Sequence, residues 1–178
     1  MLPYIAELIG TFMLILLGDG VVANVTLNKS GMKGAGSIQI TFAWGLAVMV
    51  PACIFGAASG AHFNPALTIA LAAGGMFDWA LVPGYVIAEK TPSLVPGYIV
   101  AQMIGAFLGA CCVFVLFKGQ YDATDDPATK LGTFSTSPSI PNTGLNLLSE
   151  IIGTFVLVFA IKGFGNVDAA GGIGNLYV

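Results

Sequence analysis

The sequence predicts an all-α membrane protein, an inverted-repeat helical bundle with a re-entrant half-helix, and three observations predict it. Hydrophobic residues make up 56% of the 178 and charged residues 8%, a balance that excludes an ordinary soluble domain. A turn-like segment, Ser59-Gly60-Ala61-His62-Phe63-Asn64-Pro65-Ala66, lies inside a run from Gly34 to Phe77 that carries no Lys, Arg, Asp or Glu. A pattern near the start of the chain, Ala6-Glu7-Leu8-Ile9-Gly10-Thr11-Phe12, returns 143 residues later as Ser149-Glu150-Ile151-Ile152-Gly153-Thr154-Phe155.

The first span is expected over Met1 to Asn24, apolar except for Glu7 and, near its far end, Asp19. It is long enough to cross about 30 Å of hydrocarbon. It lacks the basic start of a signal peptide, so it reads as a retained span. A polar link with Lys29 and Lys33 leads to a second span over Ser37 to Ala57. Pro65 cannot sit in a helix interior but suits a first helical position, and Asn64 before it is a good N-cap. The resulting helix, Pro65 to Ala73, stops at Gly74-Gly75 and is roughly 13 Å long, enough for half a membrane. Non-helical backbone at that depth is tolerated only where it is buried in protein or lines a cavity, which makes this segment the candidate pore. A surface loop followed by an interfacial helix is the plainer alternative.

Residues 76 to 96 read as a loop with Asp78, Glu89 and Lys90, in and beyond which Leu81-Val-Pro-Gly-Tyr85 recurs as Leu94-Val-Pro-Gly-Tyr98. A third span is expected over Gly97 to Phe117. The link from Lys118 to Asn142 holds Asp122, Asp125 and Asp126 and reads as a solvated loop, since its acids lack calcium-loop spacing. A fourth span over Gly144 to Ile161 bears Glu150, and Ile173 to Val178 opens a fifth. Cys53, Cys111 and Cys112 lie in apolar runs without metal-ligand spacing and are expected to be buried thiols. Nothing in the charge pattern points to nucleic acid, an enzyme's catalytic set, a cofactor or a metal.

The two copies of the repeat are separated by three full crossings and one segment that returns to its own side. That places them in opposite orientation, the plan of many transport proteins. Asn64's counterpart would then fall near residue 207, beyond Val178.

With Glu-x-x-Gly-Thr-Phe opening both halves and Ser59 to Ala66 between them, the chain resembles the major intrinsic proteins, the aquaporins and glycerol facilitators. Trp44 stands where glycerol facilitators carry a pore-lining Trp, and Gly132-Thr-Phe-Ser-Thr-Ser-Pro138 is similar to their extracellular loop. The resemblance implies a multi-pass cell-membrane channel, bacterial and of the glycerol-facilitator kind, assembled as a homotetramer and passing glycerol, other small neutral solutes and water. Residues 1–117 would be the first repeat, 118–142 the extracellular loop and 143–178 the start of the second.

On that pattern Asn64 donates to the solute, and Pro65 and Ala66 begin the half-helix that carries it. Gly60, Ala61 and His62 present carbonyl acceptors, and Trp44 with Val48 forms the apolar wall. Glu7 and Glu150 brace the re-entrant loops. Trp44 could instead be an interfacial belt residue, and the two acids a proton relay. Phe63 departs from the Leu of a bacterial facilitator. The absence of a second Asn-Pro-Ala and of any Arg sets a second expectation beside the channel: a non-conducting truncated form that needs the missing half-helix or complete partners. An ion-coupled transporter is a third. The resemblance also places Lys29, Lys33, Lys118 and Lys130 outside and Lys90 and Lys162 inside, against the positive-inside rule. Asp19 reads as interfacial.

Overall fold

A computed structural model describes residues 1–77 and 95–164. Asp78, Glu89, Lys90, the first Leu-Val-Pro-Gly-Tyr copy and the predicted opening of a fifth span all lie outside the described residues. Those that are described form seven helices and no strand: α1 (Leu2–Thr26), α2 (Ser37–Ser59), α3 (Pro65–Ala73), α4 (Val95–Leu116), α5 (Lys118–Asp122), α6 (Pro127–Leu131) and α7 (Thr143–Phe164). Helices α1, α2, α4 and α7 are long and apolar enough to cross a membrane.

Helix α1 is the centre of the bundle, packed on α4 along one side and on α2 along another. Glycine makes the α1–α4 approach close. A Cβ on Gly105 would lie 2.2 Å from the Leu8 carbonyl oxygen, and one on Gly109 would lie 2.8 Å from that of Phe12. Small residues four apart bring helix backbones together where apolar surface alone gives no drive to associate in lipid. The buried positions of α1 other than Val25 are small or polar: Ala6, Glu7, Gly10, Thr11, Gly18, Asp19 and Ala23.

The half-helix has the expected bounds. Asn64 caps α3 by accepting from the N–H groups of Ala66 at 2.8 Å and Leu67 at 3.3 Å, and Pro65 occupies the first turn, where a missing N–H costs nothing. At the other end Gly75 takes a left-handed φ of 69°, and Met76 N–H closes the turn on the Leu71 carbonyl at 2.9 Å. The Lys162 ammonium of α7 abuts Gly74 there, a cation against the negative end of the half-helix.

The link after α4 corrects the sequence reading of a plain solvated loop. Asp126 caps α6 through Ala128 and Thr129 N–H, and hydrogen bonds to Thr129 and Ala128 hold its exposed carboxyl below its ordinary pKa. Tyr121, Thr124 and Thr133 are buried. Tyr121 closes an apolar cluster of Ala23, Leu27 and Val113, its hydroxyl 2.6 Å from Thr133 Oγ1 and its ring stacked on Phe134. Asn28 ties the α1–α2 link to this cap, its N–H donating to Thr124 Oγ1 and its side-chain amide to the Ala123 carbonyl, each at 2.9 Å. Lys29, Lys33, Lys118 and Lys130 therefore gather at one end of the bundle and Lys162 stands at the end of α3.

Asp19, read as interfacial, is likewise buried within the protein, 7% exposed. Its neighbourhood includes Tyr121, whose pKa is raised by burial, opposed by the Thr133 hydrogen bond and raised further by the Asp19 charge. The cysteines also depart from expectation: Cys53 and Cys111 are exposed and Cys112 half-buried. The outer face of a membrane helix is as apolar as its inner face, so apolar neighbours in sequence do not place a thiol inside. Helix α7 touches α3, yet none of its residues from 143 to 163 is buried.

Candidate functional site: the re-entrant turn and its cavity

Between α2 and α3 the backbone reverses through three left-handed residues, Gly60 at φ 83°, Ala61 at 51° and Phe63 at 47°. Gly60 adopts this conformation freely, whereas Ala61 and Phe63 do so only where surrounding structure over-determines it. Glu7, fully buried, supplies much of that determination. Its Oε1 accepts from Ser59 Oγ at 2.6 Å and His62 N–H at 3.0 Å, and its Oε2 from Phe63 N–H and Gln102 Nε2, each at 2.7 Å. Two donors per oxygen fill the acceptor capacity of the carboxylate.

A second layer fixes the turn to α4. Tyr98 donates to the Ser59 carbonyl at 2.8 Å, and Ser59 Oγ accepts from Ala61 N–H at 3.1 Å. Thr68 donates to the Asn64 carbonyl and accepts from Gln102 Nε2, both at 3.0 Å. Its one proton being spent, the 3.1 Å contact with His62 Nδ1 assigns the Nδ1–H tautomer, leaving Nε2 an acceptor. The His62 ring is wedged between Phe77 and Tyr98 at centroid distances of 4.6 and 5.1 Å. Replacing Tyr98 by Phe keeps these ring contacts and removes one hydroxyl. The expected loss is about 1–3 kcal/mol for a buried carbonyl left unpaired, read as a lower thermal midpoint in detergent.

Beside the turn lies a cavity of about 190 Å³. Of the residues expected to form the pore, Trp44, Val48, Ala61, His62 and Asn64 line it, and Gly60, Pro65 and Ala66 do not. Leu14, Phe63, Leu67, Leu157 and Ile161 complete the lining. Leu14 and Leu157 are separated by the repeat offset of 143 residues, so a symmetry argument could have found them; Leu67 and Ile161 carry no sequence signal that separates them from other apolar positions. Glu150 is exposed and faces a separate groove with Ser149, Asn146 and residues 136–140.

Four membrane-length helices and a half-helix whose capped N-terminus opens beside a small, mixed-polarity cavity define a multi-pass membrane protein with a re-entrant segment. The chain belongs to the major intrinsic protein family, whose sequence profile matches residues 2–176. It is 47% identical over 178 residues to the glycerol uptake facilitator protein of Bacillus subtilis, covering 100% of this chain and 60% of that protein. It is also 47% identical over 175 residues to the "Probable glycerol uptake facilitator protein" of Thermotoga maritima, covering 98% of this chain and 69% of the relative. Among solved structures it is similar to the aquaglyceroporin from Plasmodium falciparum, with a TM-score of 0.57 and 31% identity over 71% of this chain and 46% of that one. The chain thus spans roughly two thirds of the length of these bacterial relatives.

Proposed function

We propose that the protein is a passive channel for glycerol and other small neutral solutes, water included, and not an enzyme. The observation that carries this reading is the two-sided cavity. Trp44, Val48, Leu14 and Leu157 form an apolar wall, and Ala61, His62 and Asn64 bring polar groups to the same space. A polyol has a carbon edge and a hydroxyl edge, so one wall receives the carbons while the other replaces the hydration shell. Asn64 spends its side-chain oxygen on the helix cap, which fixes the side chain and leaves its NH₂ group as the donor for a solute hydroxyl. Glu7 braces the turn that holds Asn64, and Glu150 is assigned the same role in the second repeat. As in aquaporin-type pores, the positive end of the half-helix opposes cations and protons. The names of the bacterial relatives support the solute class. A homotetramer is the assembly proposed, with the exposed apolar residues of α2 and α4, such as Phe42 and Phe107, available to bury between copies.

The test is stopped-flow swelling of vesicles from the membrane in which the protein is made. Rapid glycerol entry down its gradient is expected, and Asn64→Leu, which removes both the amide donor and the cap, should cut it by roughly tenfold or more. Glycerol entry no faster than through protein-free lipid, or uphill accumulation driven by an ion gradient, would overturn the channel reading.

A further inference from the structure

One face of α1 has three positions, each four residues from the next, that meet the site in turn. A Cβ on Gly10 would lie 2.0 Å from Phe63 Cε1, Leu14 lines the cavity, and a Cβ on Gly18 would lie 2.5 Å from both Cη2 and Cζ3 of Trp44 and 2.7 Å from its Cε3. The outer ring of the indole therefore rests on bare α1 backbone at Gly18, while the same side chain forms part of the cavity wall. Gly18 is buried, and its lack of a side chain gives the ring a flat seat.

Resting on the channel reading above, the geometry points to Gly18 as the positioning residue that sets the cross-section of the passage. By letting the Trp44 indole lie back against α1, it admits polyol-sized neutral solutes as well as water. A methyl at this position needs about 1 Å more room to reach ordinary contact with the ring. The neighbouring α1 backbone cannot yield, because it is packed on α4. The ring moves instead, into a cavity of about 190 Å³. A site this small has no slack to absorb the intrusion, and water, the smaller solute, is affected least.

The test compares Gly18→Ala, Trp44→Phe and the double variant in native-membrane vesicles. All are made over Trp79→Phe, a position outside the described residues, so that Trp44 is the sole tryptophan of the parent and of Gly18→Ala, the two in which quenching is read. Two readouts are taken: glycerol against water permeability, and quenching of Trp44 fluorescence by acrylamide, a neutral solute. Gly18→Ala is expected to lower glycerol permeability about tenfold or more, to change water permeability less than about twofold, and to raise quenching. Trp44→Phe, lacking the outer ring, should restore glycerol passage when added to Gly18→Ala.

Unchanged quenching in Gly18→Ala would overturn the seat. Glycerol and water falling together would overturn the selectivity assigned to it. A parent protein that passes neither solute would bring down the channel reading and the selectivity with it, with quenching still deciding the seat. Should Gly18→Ala fail to fold, folding of the double variant supports the seat and its failure overturns it.

Discussion

Glu7→Gln is expected to lower stability by roughly 3 kcal/mol or more and to abolish solute passage, the largest effect of any isosteric change in the protein. The carboxylate accepts from four donors: Ser59 Oγ, His62 N–H, Phe63 N–H and Gln102 Nε2. An amide keeps one acceptor oxygen and turns an NH₂ group toward two of those donors, so two charge-assisted bonds are lost and two buried donors meet a donor. Each bond to a charged group is worth about 1.5–3 kcal/mol, and each buried donor left unpaired costs about 1–3 kcal/mol. Against a total stability of about 5–15 kcal/mol this is a large fraction. The damage is local first. Glu7 holds the His62 and Phe63 N–H groups that lead into the left-handed φ at Phe63, and without it that residue relaxes toward negative φ and swings Asn64 off the end of α3. Thermal unfolding in detergent should show the lower midpoint. Limited proteolysis should show new cleavage beside Phe63 at temperatures where the helices still give full circular dichroism. An unchanged midpoint would mean that the turn is held by its own packing.

That Glu7 mattered was legible in the sequence, because an acid inside an apolar span is a functional candidate, although the same signal at Glu150 marks an exposed residue. The half-helix was legible to the residue because Asn64-Pro65 and Gly74-Gly75 are local start and stop signals. The long spans were legible for a similar reason: runs of about twenty apolar residues have few other uses. What stayed hidden depends on contacts distant in sequence or on which way an apolar side chain faces. The polar link after α4 gave no warning that Tyr121 and Thr133 satisfy each other in a buried cap, nor that Asn28 reaches Thr124 across 96 residues. Leu14 and Leu157 look like any other leucine in a span, since hydrophobicity distinguishes water from oil and not a lumen from lipid. Cys53 and Cys111 were misplaced on the same ground. Gly10 and Gly18 are two of 24 glycines, and only the positions of the Phe63 and Trp44 rings single them out. Of the Gly60 to His62 stretch, Ala61 and His62 line the cavity and Gly60, at the left-handed end of α2, does not.

The second large effect is expected at Gly105, where alanine should destabilise the protein by about 3 kcal/mol, at the upper end for overpacking. The added carbon would stand 2.2 Å from the Leu8 carbonyl oxygen, 3.1 Å from the Leu8 carbonyl carbon and 3.1 Å from the Phe12 nitrogen. All three are backbone atoms of α1, which cannot rotate out of the way, so α1 and α4 must part by about an ångström over their shared length. The separation reaches the site at once: Gln102, one turn before Gly105, bonds Glu7 at 2.7 Å and Thr68 at 3.0 Å. Stretching those bonds loosens α4's hold on the turn. Gly109→Ala meets a milder obstacle, 2.8 Å from the Phe12 carbonyl oxygen and 3.0 Å from Ile15 Cβ, and should cost about 1 kcal/mol. Gly45, exposed on α2 with no atom near an added Cβ, should gain up to about 1 kcal/mol as alanine from helix propensity alone. Thermal midpoints of the three variants in detergent therefore fall in the order Gly45→Ala, Gly109→Ala, Gly105→Ala, and only Gly105→Ala should approach the proteolytic phenotype of Glu7→Gln. Equal midpoints for the two α4 variants would mean that the helices part easily, and that the Glu7–Gln102 bond and not the glycine surface holds α4 to α1.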